Sequence, residues 1–228
     1  TRPGGEIAGG QAGERVVFRR SDSATASGSV KGTGRNVGGL VGDNRDNGTI
    51  TTVSASVSVT GTDAEKVGGL VGRNSGSIQN ATASGSVKGT EFVGGLVGVN
   101  FANITDSSAS GSVSITGTGQ FEFGSAGGLV GLNDGNITDA RASGSVTGQD
   151  SDSETFGRVG GLVGRNGLDG IVQDTFAVGS VTGDDFEGGT GGLVGQSSGI
   201  VEQSYFDTTR SGTNQTTSAG NATGLTTA

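Results

Sequence analysis

With 228 residues, 49 of them glycine, only 4% aromatic and none Cys, Met, Trp or His, the chain has little with which to fill a bulky layered core and no thiol or imidazole chemistry to offer. A net charge of -8, from 14 basic against 22 acidic residues, leaves little basic surface for nucleic acid or an anionic membrane. No stretch approaches the roughly 20 apolar residues that cross a bilayer, so direct membrane insertion is not expected.

Residues 1–20 open as TRPGGEIAGG without an initiator Met, and the chain is expected to be processed or excised from a longer one. Val16, Val17 and Phe18 suit this extension to one of two tasks: capping the chain's own first coil, or docking on another copy.

Residues 21–206 form a repeat. After a partial unit, ATASGSVKG at Ala24 to Gly32, the string GGLVG recurs with its first glycine at Gly38, Gly68, Gly94, Gly127, Gly160 and Gly191, which sets unit lengths of 26 to 33 residues. Such recurrence argues against the disorder that low hydrophobicity and charge would otherwise suggest. The string is no phosphate loop: neither G-x-G-x-x-G nor G-x-x-x-x-G-K-[ST] is matched and no helix is predicted after it. Its glycines are expected to permit tight corners and close backbone approach.

Within each unit small apolar residues alternate with hydroxyls. Val53, Ala55, Val57 and Val59 oppose Ser54, Ser56, Ser58 and Thr60, while Ala81, Ala83, Gly85 and Val87 oppose Thr82, Ser84, Ser86 and Lys88. A period of two predicts strands, and no window sustains 3.6. The fold expected is all-β: a single-stack β-solenoid, or parallel β-helix, of about six to seven coils at roughly 30 residues per coil. Its interior is narrow, and a Phe in place of Ala83 would overpack it.

An Asn follows the string in five units, at Asn44, Asn74, Asn100, Asn133 and Asn166, with Ser197 in the sixth. These are read as turn residues tolerant of the left-handed conformation, forming a structural ladder of side-chain amides between coils. Phe176 and Val178 interrupt the small outward residues, marking either a face covered by a neighbouring loop or a contact patch. Tyr205 and Phe206 are expected to plug the last coil, and residues 207–228 to form a polar C-terminal tail or cap.

The G-L-V-G core followed by Asn and then by I-x-x-x-x-A-x-G-x-V resembles the GLUG motif, and the ending SYFDTTRSGTNQTTSAGNATGLTTA is similar to the segment that comes after the final such repeat. The resemblance spans Ala24 to Ala228. It implies a secreted or cell-surface protein of adhesin type, in which the repeats serve as non-catalytic stalk or adhesive parts, as they do in extracellular proteases such as immunoglobulin A peptidases. It supplies no catalytic residue, and no protease module is present to imply a peptidase.

Three further chemistries are open. Asp150, Asp152 and Glu154, and one unit later Asp184, Asp185 and Glu187, are either solvated loop charge or ligands for calcium, the one cofactor the sequence leaves open. Neither an EF-hand nor the G-G-x-G-x-D nonapeptide is complete there. Asn47, Asn80, Asn103, Asn136, Asn214 and Asn221 stand in N-x-[ST] and are either glycan acceptors or ordinary turn residues. Outward hydroxyl rows raise an ice-binding reading, which Lys88 and Arg141 interrupt. The sequence therefore predicts a non-catalytic extracellular structural or adhesive protein. It is expected to form a homo-oligomer by end-to-end stacking and to meet a surface glycan or a protein receptor; the alternative is a carbohydrate- or calcium-binding module of a larger secreted protein.

Overall fold

The computed structural model describes residues 6–8, 20–116, 124–149, 157–183, 189–212 and 222–226. Among them the strands form one sheet of 18 strands and two of six, and the pairing is parallel throughout, as in Val71↔Val97 and Val97↔Val130. The chain is an all-β solenoid. Each coil contributes one strand to each six-stranded sheet, such as Phe92–Gly94 and Val97–Asn100. It then lays Asn103–Thr105, Ser108–Ala109 and Val113–Thr116 on the broad sheet.

Six rungs in the two smaller sheets enclose five full turns, so the count is about five coils rather than six to seven. The difference is physical. The segment Thr25–Gly32 supplies only a broad-sheet strand, paired to Ser54 through Gly61, and the sixth motif opens a coil that a terminal plug closes.

Period-two alternation is what the strands bury: Thr49–Gly61 runs intermediate or exposed at hydroxyls and buried at Ile50, Val53, Ala55, Val57 and Val59. Registers stack identical residues into columns. Leu70, Leu96, Leu129, Leu162 and Leu193 are all buried, and the amides of Leu70 and Val71 both donate to the carbonyl of Leu96, at 2.9 and 3.0 Å. An inward column runs Ala26, Ala55, Ala83, Ala109, Ala142, Ala177 and Phe206, with Gly224 beyond it.

Phe206 is fully buried, and a Cβ built on Gly192 would overlap its ring. Its ring fills the interior beside the last GGLVG motif, where the rung before carries Ala177. Truncation by Phe206→Ala should cost about 3–5 kcal/mol through the cavity left behind. Because each coil touches only its neighbours, hydrogen exchange should accelerate at Val194 far more than at Val97. Uniform protection in the variant would count against the plug.

Tyr205 departs from its expected role beside Phe206. Successive strand residues face opposite ways, so Tyr205 points outward and is exposed. Beyond it Asp207 caps a single helical turn, Thr208–Ser211, accepting from the amides of Thr209 and Arg210 at 2.9 and 3.2 Å. Thr223–Leu225 then returns to pair with Tyr205–Asp207. At the other end Glu6–Ala8 pairs with Thr25, Ala26 and Ser27; Val16, Val17 and Phe18 lie outside the described residues.

Candidate functional site

The buried asparagines that follow the GGLVG strings are engaged in stacking. Each ladder amide donates through Nδ2 to the next Oδ1: Asn44 to Asn74 at 2.7 Å, then Asn74 to Asn100, Asn100 to Asn133 and Asn133 to Asn166 at 2.8 Å each. Asn166 reaches Ser197 Oγ at 3.2 Å, where the amide gives way to a hydroxyl. The same Nδ2 groups also hold the following turn, Asn100 to the Ala102 carbonyl at 2.7 Å and Asn133 to that of Gly135 at 2.8 Å. All five asparagines are buried, which is tolerated because every coil supplies the partner of the last.

The left-handed conformation sits elsewhere. Among the described non-glycine residues, seven of the nine that adopt it fall on one column of the broad sheet, Ser23, Thr52, Asn80, Asp106, Asp139, Asp174 and Gln203, with φ between 46° and 56°; Asn47 and Asp63 are the other two. The ladder asparagines end extended strands instead, because their amides must point along the stack. The corner column is exposed and mostly Asn or Asp, the residues that tolerate this conformation best. Sequence reasoning missed it, although the Asn or Asp just before the buried Ala81, Ser107, Ala140 and Thr175 was a readable signal.

Four of the six sequon asparagines are described, and Asn47, Asn80, Asn103 and Asn136 are all exposed. Asn103 and Asn136 pair directly on adjacent rungs. Asn214 and Asn221 lie outside the described residues, as do all six acidic linker residues Asp150, Asp152, Glu154, Asp184, Asp185 and Glu187. Among the described residues no group of three or more Asp or Glu is placed to hold a metal ion.

A charged strip borders the sheet that begins at Asn36–Gly38. Glu65 takes Lys66 Nζ at 2.7 Å and Arg35 Nε at 3.0 Å, and the Lys66 hydrogen bond above all holds its carboxyl below the usual range. One rung on, Glu91 has a buried oxygen without a partner, and burial pushes its carboxyl above the usual range with the Glu65 charge adding to the shift. The two act oppositely on stability. Glu65 contributes stability that is lost as pH falls through its lowered value, whereas ionising Glu91 costs stability as pH rises past the usual carboxylate range. Glu91→Gln should therefore melt higher than the parent at pH 7, with the gain fading as pH drops below about 4. A gain independent of pH would show that the charge is not its source.

The outward side of the broad sheet changes character towards its C-terminal end. One column reads Thr25, Ser54, Thr82, Ser108, Arg141, Phe176, Tyr205, Thr223. Hydroxyls thus give way to two aromatic rings on neighbouring rungs, 39% and 41% exposed. Leu225, on the returning strand, stands beside them, and together with Asp174, Thr175 and Gln203 they line a cleft of about 290 Å³. Gln173 Nε2 donates to Asp174 Oδ2 at 3.1 Å and to Gln203 Oε1 at 3.2 Å, fixing the polar rim. Thr175 is turned inward to Ser204 Oγ at 2.9 Å. Val178 is half-buried on the same outward face as Phe176. The expected departure at Phe176 is thus part of a cleft, which Tyr205, Gln203 and Leu225 complete.

Comparison with protein families finds the GLUG motif at residues 63–88, 90–115 and 124–147. The motifs beginning at Gly38, Gly160 and Gly191 stack in the same registers. No curated protein matches the chain, and no solved structure does.

Proposed function

The chain is a GLUG-motif repeat protein, and we propose that it serves outside the cell as a non-catalytic structural and adhesive rod that stacks end to end. The observation that carries this reading is the asparagine column. Buried amides are where a binding or catalytic site would concentrate its chemistry, and here all five join one column, three of them bonding to their own turns as well.

Two further features support it. Among the described residues the end strands Asn36–Gly38 and Val41–Asn44 at one end, and Thr190–Gly191 and Val194–Ser197 at the other, each pair on one side only. All run parallel, so a second copy placed head to tail continues the pairing of these two sheets, while Thr223–Leu225 already covers the last broad-sheet strand. The exposed sequons Asn47, Asn80, Asn103 and Asn136 suit a glycosylated surface.

Light scattering of the purified protein over a wide concentration and salt range, with electron microscopy of the same samples, tests the assembly. The mass should rise with concentration and filaments one solenoid wide should form. A mass fixed at 22.1 kDa, with isolated particles only, would sink end-to-end stacking.

A further inference from the structure

We propose that the cleft formed by Phe176, Tyr205 and Leu225 binds a neutral saccharide. The site adds a ligand to the rod and does not depend on end-to-end stacking, so the two stand or fall by separate experiments.

The aromatic pair is the first ground. Phe176 and Tyr205 are direct register partners on parallel strands, so their backbones stand roughly 4.8 Å apart, and both side chains line the same cleft. Both remain partly exposed although the rest of their column is hydroxyl or basic, and a lone structural aromatic would be expected to bury itself. Sugar rings offer the complementary surface, an apolar C–H face edged by hydroxyls.

The rim is the second ground. Asp174 supplies a carboxylate, and Gln203, whose Oε1 is taken by Gln173, has its amide NH₂ left to donate. An apolar floor with a few fixed polar groups is the general form of a small-ligand site, and about 290 Å³ suits one or two sugar rings.

Charge selects among saccharides. Among the described residues the lining holds one carboxylate and no basic group; Arg141 lies on the far side of Phe176, and Asp139 continues the acidic corner next to Asp174. Uronic or sulfated chains are repelled there. A quaternary ammonium ion would welcome both the rings and the carboxylate, yet rings side by side on one face do not enclose a cation, and the Gln203 amide would have no partner on it.

The molecule carries its own reporter, because Tyr205 is the single tyrosine and tryptophan is absent. Tyrosine emission of the full chain is followed during titration with neutral hexose oligosaccharides, with polyuronate and with choline. Saturable change is expected with a neutral oligosaccharide alone, at dissociation constants on the order of millimolar. Phe176→Ser places in the column the residue already present at Ser54 and Ser108, and Leu225→Ser alters the opposite wall. Each should weaken binding by about tenfold with the melting temperature kept. No saturable change overturns the proposal, as does an equal response to polyuronate or choline, or binding unaltered in both variants. The titrations are run at protein concentrations where light scattering shows a monomer, so that end-to-end stacking does not contribute to the emission.

Discussion

Asn100→Ala is expected to lower stability by about 3–5 kcal/mol, far beyond what its size suggests. The substitution strands the Nδ2 of Asn74, takes the inter-coil donor from Asn133 Oδ1, and frees both the amide and the carbonyl of Ala102. Each buried group left without a partner costs about 1–3 kcal/mol, and the fully buried column gives water little access to replace the amide. Asn44→Ala at the start of the column removes a donor to Asn74 and strands less, so it should cost about 1–2 kcal/mol. Asn100→Ser should fall between them, since Ser197 already accepts from a ladder amide. Urea unfolding of the three variants gives the order. Equal losses at Asn44 and Asn100 would mean that the asparagines act as separate turn residues and not as a column.

The period of two and the fixed GGLVG spacing made the stacked coil legible, because identical inward residues at matching places leave a narrow parallel stack as the only common solution. Column order came with it for the same reason: Ile78, Ile104 and Ile137 had to meet once their units aligned. What the strings did not carry was which residue bends. Asn44 and Asn80 are both compatible with a left-handed corner and both amides reach a neighbouring rung; what separates them is burial, complete for Asn44 and absent for Asn80. The cleft was half legible. Phe176 breaks a column visibly, but grouping Tyr205 with its neighbour Phe206 as one plug runs against the alternation that governs every other strand. Leu225 could not be placed, since its role depends on a returning strand 17 residues beyond the Thr208 hydroxyl that bonds its carbonyl.

Gly95→Ala should be harsher still, costing more than about 4 kcal/mol, at the extreme of single substitutions. The methyl would overlap the carbonyl oxygen of Gly128 on the next coil and lie 3.0 Å from the Ala109 Cβ across the interior. Neither neighbour can retreat, because the Gly128 backbone is locked by its own bond to Gly160 and Ala109 belongs to the close-packed alanine column. Relief requires prising two coils apart, which breaks the parallel pairing on both sides. Gly34→Ala is the control, since a Cβ there meets nothing within 4 Å. The pair of variants decides what the motif's glycines are for. Among the described residues positive φ is confined, for glycine, to Gly28, Gly189 and Gly212, so no GGLVG glycine is needed for backbone freedom. Their service is the absence of a side chain: the first in each motif clears the carbonyl three residues on, the second that of the next coil except at Gly192, which meets the Phe206 ring, and the third, from Gly72 onwards, that of the coil before. If Gly95→Ala proved as mild as Gly34→Ala, close approach would fail as the reason for the repeat, and the motif would have to be explained by its chain entropy instead.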